Sequence, residues 1–420
     1  MNKELTIGKT SLPVGWVMKT LGEVCKIQLG KTPHRKTERF WDKEKSTNNV
    51  WLSIADMVHG KELFKSKEHV SDLGAEKINI SPKGTLLLSF KLTLGKVSFA
   101  GKNLYTNEAI ASLMNLNNEV DKNYLFYYFT LFDWHKEAEG DVKVKGKTLN
   151  KAKLKALNLI VPPLTQQKQI VAILDKAFAA IGTAKANATQ NLQNAKELFE
   201  SYLQNVFENK GDDWEEKTLG EVCDFFNGFA FKSKDSIDYS NTQVVRMGNL
   251  YQNKLSLDRK PAFYPDDFTT EYSKYMLKEN DLIISLTGTT GKEDYGYTVK
   301  IPKTEKNLLL NQRIAKFIIK DKNVISRNFL FRFLLSKTFL DELYKTANGT
   351  RQANLSTETM KGLFISFPSI EIQQQIVQKL DNLSLQTKKL ETIYTQKIAD
   401  LEELKKSILQ KAFIGQLSEL

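Results

Sequence analysis

The sequence predicts an α+β protein: two pseudo-repeated α/β domains separated by two long antiparallel coiled-coil helices. Three observations predict it. A duplicated heptapeptide opens a duplicated order of segments, short apolar runs of strand length fill the front of each copy, and a proline-free, heptad-patterned stretch closes each copy. The heptapeptide is "KTLGEVC", at 19–25 and again at 217–223, each time shortly after a tryptophan, Trp16 or Trp214. For a chain of this length a chance identity of this kind has a probability on the order of 10⁻⁴, so the repeat reads as a duplication.

The similarity continues downstream in the same order. "LLLSFKLTLGK" (86–96) answers to "LIISLTGTTGK" (282–292), and "NEAIA" (107–111) to "NQRIA" (311–315). "VPPLTQQKQIVAILD" (161–175) answers to "FPSIEIQQQIVQKLD" (367–381), and "KELFESYLQNVF" (196–207) to "EELKKSILQKAF" (402–413). The last two pairs share one offset, so 162–207 aligns with 368–413 without a gap.

The front of the first copy contains "VWLSIADM" and "GTLLLSF", and that of the second "VVRMGNL" and "NDLIISLTG". Each has strand length and turn-type flanks, which predicts β-strands. An aromatic, helix-like stretch follows in both copies, "NYLFYYFTLF" (123–132) and "NFLFRFLLSKTFLDELYK" (328–345). The closing part begins after Pro162-Pro163 and Pro368, where a helix cannot extend backwards through the ring. From 166 to about 209 no proline occurs and Ala, Gln, Lys, Glu and Leu dominate. Leu174, Ile181, Ala188, Ala195 and Tyr202 recur every seven residues, with Phe178, Leu192, Phe199 and Val206 as a second line, the pattern of a coiled-coil seam.

The second helix offers Ile376, Leu380, Leu383, Leu390, Tyr394, Leu401, Leu404 and Ile408, with Thr387 and Lys397 interrupting. Gly182 costs the first helix about 1 kcal/mol relative to alanine. At 1.5 Å per residue each helix is roughly 65 Å long. A stripe of this kind also fits a helix packed on its own domain. The order domain, helix, domain, helix favours the two helices packing on each other.

Sixty-one Lys and Arg against 49 Asp and Glu give a formal charge of +12, in a chain 41% hydrophobic and 10% aromatic. A basic globular protein favours polyanionic partners, nucleic acid first, because each neutralised phosphate releases counterions. An ordinary basic soluble protein has the same composition. Cys25 and Cys223 occupy the same place in the two copies, without ligand-spaced partners, and read as small core residues in a reducing compartment. No signal-peptide core or membrane-length apolar run is present, so a cytoplasmic chain without membrane association is expected.

Three enzyme readings fail on spacing. A phosphate loop needs four residues between its glycines and Ser or Thr after the lysine. Gly288 and Gly291 have two between them, Glu293 follows Lys292, and "SFKLTLGK" lacks the first glycine. A strand-loop-strand turn fits better. For a methyltransferase, "VPPL" lacks both the polar residue before a double proline and the aromatic after it. For a metal nuclease, Asp266 and Glu271 have Lys274 one residue too far and no counterpart in the other copy. The histidines His34, His59, His69 and His135 show no ligand spacing.

What remains are basic and polar loops. "GDVKVKGKTLNKAKLK" (140–155) faces "NGTRQANLS" (348–356) in the other copy, and "GKTPHRKTER" (30–39) faces "GFAFKSK" (228–234). Alternating Lys and Val also fits a solvated edge strand. Arginine reading guanine and Gln or Asn reading adenine is the expected base code, while lysines meet phosphates. The candidate DNA contacts are His34, Arg35, Lys36 and Arg39; Lys91 and Thr93; Lys143, Lys145 and Lys147; Lys232, Lys234 and Arg246; Thr287, Thr289 and Lys292; and Arg351 and Gln352. The candidate coiled-coil and partner interface is Leu174, Ile181, Leu192, Tyr202, Leu380, Leu390, Leu401 and Ile408.

Taken together, the "KTLGEVC" openings, the "GTLLLSF…LGK" and "NDLIISLTGTTGK" segments and the "PPLTQQKQIVAILD" and "FPSIEIQQQIVQKLD" junctions resemble the specificity subunit of type I restriction-modification systems, over essentially the full length. The resemblance implies a target recognition domain at 1–164, a conserved spacer helix at 165–210, a second recognition domain at 211–370 and a second helix at 371–420. Each domain would read one half of a bipartite double-stranded DNA target. The helices would set the spacer and dock two methyltransferase subunits, with restriction/translocase subunits joining them. The chain itself would carry no catalytic site, metal or cofactor; S-adenosylmethionine, ATP and Mg²⁺ would belong to the partners. The recognition loops are the variable part of such proteins, so the candidate contacts rest on charge and position alone. Two other readings stay open, an independent DNA enzyme and a two-headed coiled-coil scaffold with incidental DNA binding. Activity of the isolated chain on DNA would favour the first, and weak salt dependence the second.

Overall fold

The computed structural model describes residues 12–60, 62–138, 142–143, 146–147, 149–289, 291–346 and 352–417. It divides into two units, Met1–Asn187 with Lys397–Leu420, and Ala188–Gln396. The duplicated heptapeptide builds the same local structure in both. In the first unit Leu21–Val24 is a single helical turn. The Glu23 carboxylate accepts from the backbone N–H and the Oγ1 of Thr20, both at 2.6 Å, a reciprocal cap for otherwise unpaired donors. Those bonds hold the Glu23 carboxyl below the usual range. Leu21, Val24 and Cys25 turn inward, and the Cys25 Sγ donates to the Leu21 carbonyl at 3.4 Å. In the second unit Glu221 accepts from Thr218 at 2.7 and 2.8 Å, and Cys223 donates to Leu219 at 3.1 Å. Burial pushes both thiols up to about 12, so each stays protonated as a small core residue.

The heptapeptide also roots each copy beside its own long helix. Val17–Thr20 pairs antiparallel with Asn158–Val161, and Glu215–Thr218 with Phe364–Phe367. The strand that ends at Val161 or Phe367 runs straight into the proline and the helix.

The main sheets share the order of their first four strands, and the first unit adds a fifth. In the first unit the order is Lys26–Leu29, Ile110–Met114, Leu86–Ser89, Val97–Ala100 and Glu62–Leu63. In the second it is Cys223–Asn227, Ile314–Ile319, Leu282–Ser285 and Thr298–Lys300. Each unit also has a second sheet, of five strands in the first and three in the second, containing one parallel pair, Val50–Leu52 with Leu104–Thr106, and Thr242–Val245 with Asn307–Leu310. The strands Leu86–Ser89 and Leu282–Ser285 are buried along their whole length, which matches their unbroken apolar runs. The aromatic stretch forms the helix Lys122–Leu131 in the first unit. In the second it breaks into Arg327–Leu334 and Lys337–Lys345, because the Ser336 side chain caps the second helix through Phe339 N–H at 3.3 Å.

The long helices run Leu164–Glu208 and Ile370–Phe413. Within the first unit Lys185 pairs with Glu402, while the Lys405 ammonium lies 5.0 Å from the Phe178 ring centroid. Numbers fall on one helix as they rise on the other, so the helices run antiparallel. Leu174, fully buried at 0% exposure, joins Tyr124, Leu409 and Phe413 in the core of this unit, where burial of one such side chain stabilises by about 2 kcal/mol. In the second unit Leu203, Phe207, Val377 and Leu380 join Phe329 and Leu334 in the same way.

The second helix corrects its predicted seam. Thr387 is only 3% exposed, whereas Leu390 and Leu404 are 37% and 48% exposed. Leu383 is half-buried as predicted, but beyond it the half-buried flanking residues are Glu391, Ile398 and Lys405, four residues past the heptad line rather than three. Leu390 therefore faces away from the seam, and Thr387 sits in it with its hydroxyl bonded to the Ser384 carbonyl at 3.2 Å.

Gly182 has no heavy atom within 4 Å of the position a Cβ would take. Gly182→Ala should therefore stabilise the protein by up to about 1 kcal/mol, a rise of about 2–4 °C in Tm by calorimetry. An unchanged or lower Tm would contradict the helical role given to this residue. Among the described residues no helix is long and apolar enough to cross a membrane.

Candidate nucleic-acid interface

The first basic loop leaves the sheet at Gly30, whose N–H donates to the Ile110 carbonyl at 3.0 Å. His34, Arg35, Lys36 and Arg39 are all exposed, but they are not equivalent. The Arg35 guanidinium lies 4.1 and 4.7 Å from the ring centroids of Trp41 and Trp51 and makes a two-pronged pair with Glu68. The two indoles meet edge to face at 5.1 Å. Arg35 is thus held by stacking and a forked ion pair, an arrangement that a lysine cannot reproduce. His34 Nδ1 is 3.1 Å from Thr37 Oγ1, which steadies the same turn. Lys36 and Arg39 have no ion-pair partner among the described residues, and Arg39 rests 5.6 Å from the Phe40 ring centroid.

The loop joining Leu86–Ser89 to Val97–Ala100 comes to the same side. The Glu108 carboxylate accepts from Thr32 in the basic loop and feels the positive charge of both Lys91 and Arg35. Lys91 is half-buried, with its ammonium 5.2 Å from the Phe90 ring centroid. Thr93 is exposed, and its carbonyl accepts from Ser89 Oγ at 2.6 Å. The lysine that closes this loop, Lys96, donates to the Ile54 and Met57 carbonyls at 3.1 and 3.2 Å, a structural role rather than a phosphate cradle.

The lysine-rich stretch forms a two-stranded ribbon, Val142–Lys143 with Gly146–Lys147, in which Lys143 faces Gly146 and Val142 faces Lys147. Lys145 lies outside the described residues. The second unit builds its ribbon from two distant segments, Thr287–Thr289 and Gln352–Asn354, with Thr289 opposite Gln352. The structure therefore brings Thr287, Thr289 and Gln352 onto one ribbon, an element of the width the DNA major groove admits. Arg351, next in the chain, lies outside the described residues.

Two of the second unit's candidates make contacts within the protein. Thr287 is 8% exposed and donates to Met247 Sδ at 2.9 Å, so its side chain faces inward. Arg246 is exposed, but its guanidinium donates to the Lys260 and Pro261 carbonyls at 2.6 and 3.3 Å and holds a loop. Thr289, Lys292, Lys232 and Lys234 remain exposed. Sequence reasoning missed Glu68, Trp41 and Trp51 around Arg35, and missed Arg259, stacked 4.1 Å from the Tyr251 ring centroid. Only the indole pair had a sequence signal, as aromatics flanking a basic loop.

Asp266, weighed for a nuclease, accepts from Thr242 Oγ1 at 2.6 Å and anchors a strand. Along the helices, Leu174 and Ile181 are buried at 0% and 8%, and Leu380 at 0%. Leu192, Tyr202, Leu401 and Ile408 are half-buried.

A family model described as the type I restriction modification DNA specificity domain matches residues 13–193 and again 211–402. The chain is 25% identical over 431 residues to the type I restriction enzyme MjaVIII specificity subunit of Methanocaldococcus jannaschii, covering 97% of this chain and 94% of that one. It is 21% identical over 445 residues to the type I restriction enzyme EcoKI specificity subunit of Escherichia coli, covering 97% and 90%. Among solved structures, a chain from a type I R-M system shares the fold with a TM-score of 0.74 at 19% identity, covering 97% of this chain and all 100% of that one. The HsdS subunit from Thermoanaerobacter tengcongensis does so with a TM-score of 0.61 at 19% identity, covering 98% and 100%. Two consecutive matches spanning most of the chain, on a framework whose main-sheet order recurs, place it in the type I restriction-modification specificity-subunit family, with two copies of the DNA specificity domain.

Proposed function

We propose that this chain is a non-catalytic specificity subunit that recognises a bipartite double-stranded DNA target, one half-site per domain. The observation that carries this reading is an asymmetry between the copies. The framework repeats in sheet order, cap and helix root, while the loops differ: a stacked arginine and a lysine hairpin in one unit, a Thr289–Gln352 ribbon in the other. Identical frameworks suit identical partners, and unlike loops suit unlike base sequences. In this reading the long helices set the spacer and dock two methyltransferase subunits, with restriction/translocase subunits added to the complex. Methylation and cleavage, with their S-adenosylmethionine, ATP and Mg²⁺, reside in those partners.

The test is a methylome. The chain is expressed with its methyltransferase partner in a host that lacks such systems, and modified bases are mapped by single-molecule sequencing. The expected result is a split motif of two unlike short halves that vanishes when this chain is omitted. A continuous motif, or the same motif without this chain, would overturn the proposal.

A further inference from the structure

Gln167 and Gln373 are both fully buried, at 0% exposure, and each makes the same three hydrogen bonds in its own unit. The Gln167 Oε1 accepts from the Asp121 N–H at 2.8 Å, and its Nε2 donates to the Glu119 and Pro162 carbonyls, both at 2.8 Å. The Gln373 Oε1 accepts from the Ser326 N–H at 2.8 Å, and its Nε2 donates to the Val324 and Pro368 carbonyls, both at 2.9 Å. Asp121 and Ser326 are the N-caps of the aromatic helices Lys122–Leu131 and Arg327–Leu334. Each glutamine therefore ties the first turns of a long helix to the loop that starts the helix packed against it. The amide orientation is settled by the partners, two carbonyls on one side and an N–H on the other.

A second anchor follows eight residues later, about 12 Å along the helix. Tyr127 Oη donates to Asp175, and Arg332 pairs with Asp381. Tyr127 and Arg332 stand at the same place in their aromatic helices, the fifth letter of "NYLFYYF" and "NFLFRFL". The donor chemistry has changed between the copies while the contact has not. Both donors also touch a ring of the first long helix: Tyr127 lies 5.5 Å from Phe178 and Arg332 5.5 Å from Phe199, centroid to centroid or guanidinium to centroid.

Apolar burial is non-directional, so a greasy junction alone would let a domain tilt on its helix. Hydrogen bonds are directional, and two of these anchors at separated points on a rigid rod define an angle. We propose that Gln167 with Asp175, and Gln373 with Asp381, are positioning residues that hold each recognition domain at one angle on its long helix and thereby set the discrimination between DNA spacers of different length. The inference rests on the function proposed above. With base pairs about 3.4 Å apart, a tilt of about 10° acting over about 20 Å moves the reading loops by one base-pair step.

The experiment uses the full chain in complex with its methyltransferase partner, and duplexes carrying both half-sites with the native spacer or one base pair more or fewer. The wild-type complex should methylate the native spacing about tenfold or more faster than either neighbour, the scale expected for displacements of this size. The pair Q167M and Q373M, which keeps side-chain length and removes all three bonds, should reduce that ratio to about threefold or less while base changes within either half-site are still rejected. Asp175 and Asp381 are exposed, so D175A and D381A are tolerated by the core and decide the matter if the methionine variants fail to fold. They should loosen spacing in the same way, and D175N, which still accepts from Tyr127, should restore it. A lower melting temperature with proportionate slowing on all three duplexes and an unchanged ratio would overturn the inference. A wild-type complex that prefers no split site at all would instead overturn the proposed function.

Discussion

Gly228→Ala is expected to destabilise the second unit by about 2–3 kcal/mol, and Gly30→Ala to do the same to the first, because each forces an overpacked contact that cannot relax. A Cβ on Gly228 would fall on the Asn311 and Leu310 carbonyls, and one on Gly30 on the Asn107 and Thr106 carbonyls. The obstacles are backbone atoms, joined at Gly30 by the Thr106 hydroxyl, so a side-chain rotation cannot relieve either clash. Each glycine also donates its N–H across the sheet, at 3.0 Å to Ile110 from Gly30 and at 3.2 Å to Ile314 from Gly228. Both stand at the root of the first exposed loop in their copy, so relief of the clash would displace that loop. Thermal unfolding should show a Tm lower by about 5–10 °C for either single variant. Variants that melt within about 1 °C of wild type would show that the strands part easily here, against the close approach described.

The second large effect concerns Lys36 and Arg39 and follows from the proposed function. Both are exposed and lack an ion-pair partner among the described residues, as does Lys31, so they are two of the cations of this loop available to phosphates. With about 0.9 counterion released per phosphate neutralised, the double variant K36A/R39A should lower the slope of log affinity against log salt by about 1.8. Between 200 and 50 mM salt it should then gain about tenfold less affinity than wild type. The order of preference among DNA sequences should be unchanged, because phosphate contacts carry no base information. Titrations of labelled duplex with the whole complex at several salt concentrations measure both quantities. An unchanged slope would remove these residues from the phosphate-contacting set, and an unchanged slope with altered base preference would make them readers instead. Arg35 is set apart from this pair, since its stacking on Trp41 and Trp51 and its pairing with Glu68 give it a structural part in the same loop.

The features legible in the sequence are those whose physics is local to the chain. "KTLGEVC" writes its own capped turn, since Thr20 and Glu23, or Thr218 and Glu221, stand three apart and bond each other. Proline before a long stretch of Ala, Gln, Lys, Glu and Leu marks the start of a helix, and the heptad of Leu174, Ile181, Ala188 and Ala195 marks its buried line, because the α-helical period determines which side chains share a face. The duplication itself, and with it the family, was readable letter by letter.

What only the tertiary structure decided are the pairings between residues far apart in the chain. No pattern told that Thr287 bonds Met247, 40 residues away, and so leaves the exposed face of its ribbon. Nor did one tell that Thr387 lies in the helix seam while Leu390 faces out, a difference set by which flank of the helix meets its neighbour. The lysine hairpin of the first copy and the two-segment ribbon of the second come from aligned loops, yet they close on different partners. Gln167 and Gln373 look like ordinary polar helix residues until the carbonyls and N–H groups of a separate loop are placed around them. Periodicity and capping are read within a few residues, whereas a buried amide or a stacked guanidinium takes its meaning from groups that only the folded chain brings within hydrogen-bonding distance.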